Sequence, residues 1–357
     1  MPMEDNAYKF PKTKVKGFIS KGFYIEMWWF AFHDEKAGVE FHTMPNINNP
    51  ENNWFGRLVG LPKSCDLYTS VAFDGVSRTS GELDRYFPNY EVKEDSLYVN
   101  IGDVMFFEAI DDETIHVYGE DPWVKVSFDF YFTRAIKAIP ATPMKISKRK
   151  RDIFWFYPNM PHARVKGTVT YEGETREVNC RGYHDHDWGS PTKLAWTPFT
   201  VTVNEEFGIV TYVSMEKHGC VFLFAEDDWI QLPMPEVEIL EKRYCEFPGK
   251  GGEIVKYDRP VKIQISSHND EYSVKFVISE LDNKYFNFDT GFELKKKSAH
   301  GAAFITEVAT ATGRLYKKDA LIKEFVDIPS SFQWYQPTDY IKEMFKILFQ
   351  RKSKIMS

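Results

Sequence analysis

Alternation with a period of two marks the clearest strand of the chain. The arm Arg164–Tyr171 sets Val165, Val169 and Tyr171 against Arg164, Lys166, Thr168 and Thr170. That spacing belongs to a half-buried strand. Glu172-Gly173-Glu174 follows, then Thr175–Cys180, which predicts a hairpin. Comparable β-branched and aromatic runs occupy Val39–Met44, Leu97–Ile101, Thr114–Tyr118, Val124–Phe132, Phe207–Val213, Cys220–Ala225, Val261–Ser266 and Tyr272–Ile278. Gly, Pro, Asn or Asp separate many of them, so the pattern predicts an all-β protein built from barrels or sandwiches. A helical period shows only at the C-terminal end. There Thr338 can cap, and Ile341, Met344, Phe345, Leu348 and Phe349 mark one apolar face.

Composition breaks near Ala138–Arg151, where Pro140 and Pro143 precede Lys148-Arg149-Lys150-Arg151. A solvated charged linker explains this better than a nuclear signal. The expected organisation is a β-domain over 1–145, a second over 146–337 and an amphipathic helix over 338–357. Lys342, Lys346, Arg351, Lys352 and Lys354 make that helix basic. Such a helix can lie on an anionic membrane surface, or dock on a β-domain with its charges in water. The segment Pro45–Trp54, with Asn46, Asn48, Asn49, Asn52 and Asn53, reads as a surface loop.

Composition narrows the function. Of 357 residues, 43% are hydrophobic, and 30 Phe, 19 Tyr and 9 Trp suit β-structure and apolar pockets. A net charge of -7 disfavours a nucleic-acid partner. The four cysteines (Cys65, Cys180, Cys220 and Cys245) form no CxxC pair, so reduced thiols in a cytoplasmic protein are expected. Met1–Lys21 lacks an apolar signal core, and no run reaches transmembrane length. Oligomeric state is not legible.

The chemistry concentrates in Gly182-Tyr183-His184-Asp185-His186-Asp187-Trp188-Gly189. Strands seldom carry this mixture, because buried charges need partners. An apolar pocket would raise the pKa of Asp185 and make it a general acid able to protonate an alkene. Tyr183 and Trp188 can face a developing carbocation. His184 or His186 can hold the carboxyl proton or activate water. Two other readings compete. His184 and His186 share a strand face, as metal ligands would, with Asp187, His42, His162 or His300 as a third. Alternatively the run is a polar network pinning two domains. Strict alternation puts His184, His186 and Trp188 on the apolar side of Val178 and Cys180, with Tyr183, Asp185 and Asp187 opposite. A bulge at Gly182 would reset that register. In Glu26-Met27-Trp28-Trp29-Phe30, Trp29 reads as core and Glu26 needs a partner, either Arg57 or Arg164, unless it faces the pocket.

These residues resemble a known family. The run 182–189 is similar to the Gly-Tyr-x-Asp-His-Asn-Trp-Gly signature of the carotenoid 1,2-hydratase and AttH-like proteins. Ala163-Arg164-Val165-Lys166-Gly167 with Val169 and Tyr171 resembles the strand before it. Glu26 to Phe30 resembles the family's Glu-Trp-Trp-Tyr element, and Thr312-Gly313-Arg314-Leu315 its last hairpin. The resemblance implies two tandem lipocalin-like β-domains around a hydrophobic pocket. It also implies acid-catalysed, cofactor-independent addition of water to an isoprenoid double bond. Relatives include fungal hydratases of prenylated phenolics, terpenoid cyclases and Diels–Alderases. The signature's proposed catalytic Tyr and Asp correspond to Tyr183 and Asp185, and its His to His186. Asp187 departs from the usual Asn. An upstream His and Trp are also implied, and His162 and Trp155 lie upstream of the motif.

The expectation is therefore an enzyme acting on a hydrophobic isoprenoid or polyene by hydration or cyclisation. Asp185 donates the proton, Tyr183 supports it and His186 orients Asp185. His184, Asp187, Trp188, Glu26, Trp28 and Trp155 contact substrate, and no metal or organic cofactor is required. Alternatives are a pericyclase that works by proximity and a non-catalytic ligand carrier.

Overall fold

The computed structural model describes residues 3–9, 24–49, 58, 60, 63–79, 86–87, 89–102, 104–122, 125–145, 153–189, 196–214, 218–248, 254–280, 287–289 and 303–335. Apart from a short 3-10 turn at Glu4–Asn6, the regular structure among these residues is almost entirely β. The strands of the first unit are β1 (Tyr24–Asp34), β2 (Val39–Asn49), β3 (Ser64–Phe73), β4 (Val76–Thr79), β5 (Tyr86–Phe87), β6 (Glu91–Val92), β7 (Tyr98–Ile101), β8 (Met105–Ala109), β9 (Thr114–Asp121), β10 (Val126–Arg134), β11 (Thr142–Lys145), β12 (Ile153–Tyr171) and β13 (Glu174–Gly189). Those of the second are β14 (Trp196–Val203), β15 (Gly208–Ser214), β16 (Gly219–Ala225), β17 (Asp228–Leu232), β18 (Glu236–Pro248), β19 (Ile254–His268), β20 (Tyr272–Glu280), β21 (Asn287–Asp289), β22 (Ala303–Lys317) and β23 (Ala320–Tyr335).

Each unit is one curled antiparallel sheet. The first runs β4-β3-β2-β1-β13-β12-β10-β9-β8-β7-β6, and the second β17-β16-β15-β14-β23-β22-β20-β19-β18. The division falls between Lys193 and Leu194, not at 145/146. The reason is pairing: β12 bonds to β10 and β13 bonds to β1, so the chemical motif belongs to the first unit. The expected C-terminal helix lies outside the described residues. None of the described helices is long and apolar enough to cross a membrane.

The predicted hairpin is present as β12 and β13, paired from Tyr171↔Glu174 to Val165↔Cys180 and beyond. Glu172 (φ 49°) and Gly173 (φ 88°) form its two-residue turn. Positive φ at both positions matches the twist of the strands, and glycine adopts it without strain. Two register shifts in β12, between Tyr157 and Met160 and between Met160 and Ala163, break its ladder opposite the motif. The pairing of β13 with β1 is unbroken from Gly182 to Gly189, so no bulge at Gly182 resets the register.

Gly182 is needed for a packing reason. A Cβ there would lie 2.4 Å from Val165 Cγ2 and 3.0 Å from the Ala31 carbonyl oxygen. Gly182→Ala should therefore lower stability by about 1–3 kcal/mol, the usual cost of overpacking. Thermal unfolding of the two proteins measures it.

The first core gathers Trp28, Phe30, Phe32, Phe41, Phe107, Phe130, Phe132, Val165 and Val178. The second gathers Ile209, Leu223, Ile263, Ile265, Phe276, Ile278, Phe325 and Phe332. Burial of this aromatic and aliphatic surface is the main force closing each sheet on itself. The Asn-rich segment corrects the loop expectation: Asn46, Asn48 and Asn49 belong to β2 and are buried. Backbone pairing with Asp66 and Ser64 of β3 satisfies a stretch whose side-chain composition reads as a turn. Cys65, Cys180 and Cys220 are free thiols.

Candidate functional site

Unbroken pairing of β1 with β13 makes the motif two sites back to back. On a strand, neighbouring side chains point to opposite faces. His184, His186 and Trp188 face the core, paired across the ladder with Phe30, Trp28 and Glu26. Tyr183, Asp185 and Asp187 face the other way, opposite Ala31, Trp29 and Met27.

The core-facing site centres on Glu26, which is fully buried. Tyr24 donates its hydroxyl to Glu26 Oε2 at 2.6 Å. The Lys9 N–H donates to both carboxyl oxygens, at 2.8 and 3.1 Å. His186 Nε2 lies 2.7 Å from Glu26 Oε1. Burial pushes the Glu26 carboxyl up to about 8, against the opposing effect of Tyr24 and Lys9. Burial also pushes His186 well below its ordinary range. Burial disfavours the charged form of both groups, and at 2.7 Å they share one proton between Oε1 and Nε2. The His186 ring stacks on Trp28 with centroids 4.7 Å apart, and it tilts against Trp188 at 4.8 Å. Trp188 in turn stacks on Trp155 at 5.9 Å.

His184 completes this side. Its Nδ1–H donates to the Trp29 carbonyl at 2.9 Å, and Nε2 accepts from Asn6 Nδ2 at 2.8 Å. Burial holds it neutral, with its pKa lowered to about 3. Trp28 Nε1 donates to the Asn6 carbonyl at 3.3 Å. Segment 3–9 is therefore fastened to the sheet by Glu26, Trp28 and His184. Its residues Met3, Asn6, Ala7 and Tyr8 are buried.

The opposite face carries the carboxylic acids. Tyr183 donates its hydroxyl to Asp185 Oδ2 at 2.7 Å. Burial raises Asp185 to about 7, while Tyr183 and the Trp29 backbone N–H pull it down. Asp187 is held well above the carboxylate range by burial and by Asp185 beside it. Trp29 stacks on Tyr68 at 6.1 Å and packs against His42 at 5.3 Å. His42 Nε2 lies 2.9 Å from Glu40 Oε1, both side chains being wholly buried. Trp29 Nε1 and Asp187 Oδ1 are buried without a hydrogen-bond partner among the described residues.

This geometry changes several expectations. His186 does not orient Asp185, because adjacent strand positions point apart; Tyr183 and the Trp29 N–H hold Asp185 instead. Among the described residues Glu26 is partnered by Tyr24, Lys9 and His186. Trp29 is buried, but on the Asp185 face, while Trp28 is the core tryptophan. His184, Trp188, Glu26, Trp28 and Trp155 gather on the core side, and only Asp187 of the expected contact residues lies beside Asp185. Glu40 and Tyr68 carry no sequence signal of their own and His42 entered only as a possible metal ligand; the pairing of β2 with β1 and β3 reveals their position. Among the described residues no group of three His, Cys, Asp or Glu side chains is arranged to hold a metal ion. Asp187 is on the wrong face to join His184 and His186 as a third ligand. His300 and Arg57 lie outside the described residues.

No protein-family model and no curated protein matches the chain. Solved structures do. A protein from Nitrosomonas europaea assigned as an AttH aligns with TM-score 0.59 at 11% identity, over 91% of this chain and 98% of that one. Kievitone hydratase from Nectria haematococca aligns with TM-score 0.51 at 13% identity, over 88% of this chain and 89% of the hydratase chain. At these identities the likeness is one of fold. The class is one of fold: all-β, with two tandem β-units. Within it, the chain shares the architecture of the AttH protein and of kievitone hydratase.

Proposed function

We propose that this chain is a hydratase-type enzyme that protonates a double bond of a hydrophobic isoprenoid or polyene, with Asp185 as the acid. The observation that carries this reading is the Asp185 carboxyl itself: buried, raised to about 7, and bonded to Tyr183 at 2.7 Å. A general acid works best with a pKa near the working pH, so that it is protonated and still able to give its proton up. Transfer to a trisubstituted alkene carbon leaves a tertiary carbocation and the Asp185 carboxylate. The ring faces of Trp29 and Tyr68 on the same side would stabilise that cation. The unpartnered Trp29 Nε1 offers a donor for the attacking water, and Asp187 Oδ1 an acceptor for a substrate hydroxyl. The fold of kievitone hydratase supports the same reaction class.

The test is mass-spectrometric analysis of products from lycopene and from a dimethylallyl-substituted phenol, each incubated with wild type and with Asp185→Asn. A product heavier by one water, made only by wild type, is the expected result. A wild-type product of unchanged mass would turn the reading to cyclisation or isomerisation. Unchanged substrate with both proteins, together with tight binding, would replace the enzyme by a carrier.

A further inference from the structure

The Asp185 face holds a second buried proton-handling pair, Glu40 and His42, which the proton-donation step leaves unused. Ladder pairing puts it on the same face as the acid, two strands away. Ala31 of β1 pairs with Tyr183 on one side and with His42 on the other, so His42, Ala31 and Tyr183 form one cross-strand row. Only the Ala31 methyl stands between the two larger side chains in that row. Trp29 links the ends of the arrangement: its N–H bonds to the Asp185 carboxyl and its ring packs on His42. Glu40 and His42 are both wholly buried, with His42 Nε2 2.9 Å from Glu40 Oε1. A buried acid–imidazole pair is weak as a stabilising device, because desolvation offsets most of the attraction. It is well suited to hold an imidazole in one tautomer.

We infer that His42, oriented by Glu40, is the base that deprotonates the water captured by the carbocation. This rests on the hydratase reading above. In the step, the water oxygen forms a C–O bond to the cationic carbon and its O–H bond breaks. The proton passes to the His42 imidazole, with Glu40 accepting the Nε2–H and stabilising the imidazolium. Solvent then returns the proton to Asp185, so no oxidant or co-reactant enters. Without this base, the cation loses a carbon-bound proton instead and leaves as an alkene isomer of unchanged mass.

The experiment measures the ratio of hydrated to unhydrated product from the same two substrates. Wild type, Asp185→Asn, His42→Gln and Glu40→Gln are compared, with circular dichroism and thermal unfolding confirming the fold of each. The expected result is a hydrated-to-unhydrated ratio at least ~10-fold lower in His42→Gln, with a smaller drop in Glu40→Gln, in keeping with the size of general-base effects. A merely structural role would lower total conversion without moving this ratio. An unchanged ratio in a folded His42→Gln overturns the assignment while leaving Asp185 in place. If His42→Gln does not fold, Glu40→Gln decides by the same ratio, read against wild type. Absence of any Asp185-dependent product overturns the hydratase reading, and this assignment with it.

Discussion

Asp185→Asn is expected to lower the rate of product formation by about 10²–10⁴-fold, the range of a lost general acid. The change is close to isosteric. Its amide oxygen still accepts from Tyr183, yet it carries no acidic proton. The wild-type rate should also fall as pH rises through about 7, since the reactive species is the protonated carboxyl. Tyr183 donates to this carboxyl and favours its ionised form, which lowers its pKa. Tyr183→Phe should therefore move the falling limb to higher pH. A pH–rate profile of the three proteins checks both statements. Stability gives a second readout with the opposite sense. The folded pKa of Asp185 lies above its unfolded value of 3.8, so the folded state loses stability as pH rises from there through about 7. Asparagine does not ionise, so Asp185→Asn should unfold at a higher temperature than wild type at pH 8. A variant that is inactive and also less stable at pH 8 would point to structural collapse rather than loss of the acid.

The second large effect belongs to Glu26. Glu26→Ala removes the acceptor of Tyr24 and Lys9 and the partner of His186, all in a fully buried position. Leaving these groups unpaired should cost about 3–5 kcal/mol. Glu26→Gln imitates the protonated acid. Its amide can donate to His186 and its oxygen can accept from Tyr24 and Lys9, so it should cost only about 1 kcal/mol. The two variants also differ from wild type in pH dependence. The Glu26 carboxyl is raised from 4.5 to about 8, so its contribution is fully present below 4.5 and is lost as pH rises to about 8. The buried neutral imidazoles work in the other direction. His184 is depressed from 6.5 to about 3, so its contribution is present above 6.5 and is lost as pH falls. Urea unfolding at pH 5 and pH 8 separates these terms. The stability gap between wild type and Glu26→Gln should shift against wild type at pH 8. A gap independent of pH would mean that Glu26 is ionised throughout.

Both predictions show what alternation could and could not convey. The period-two pattern is a local property, because side-chain direction on a strand follows from the backbone alone. It was enough to place the hairpin of β12 and β13 and several further strands, among them β2, β9, β10, β15, β16, β19 and β20; the opposed directions of His186 and Asp185 were settled only by the unbroken pairing of β1 with β13. Composition misled where backbone pairing overrode side-chain preference. Asn46, Asn48 and Asn49 read as a loop but lie buried in β2. The proline and lysine-rich stretch near residue 145 read as a domain boundary, yet β12 and β13 beyond it return to pair with β10 and β1.

The sequence by itself determined the all-β class, the motif that concentrates the acids and imidazoles, and the identity of Asp185 as the group to test. Tertiary structure alone decided which side chains meet. Glu26 reaches His186 across 160 positions, and Asn6 reaches His184 across 178. His42 joins the Asp185 face only because β2 and β13 flank the same strand. Those contacts depend on strand order and register, which are set by burying the apolar faces of the whole sheet rather than by any short stretch of residues. The pKa values follow the same rule: a carboxyl becomes an acid near neutral pH through desolvation, which exists only once the chain has closed around it.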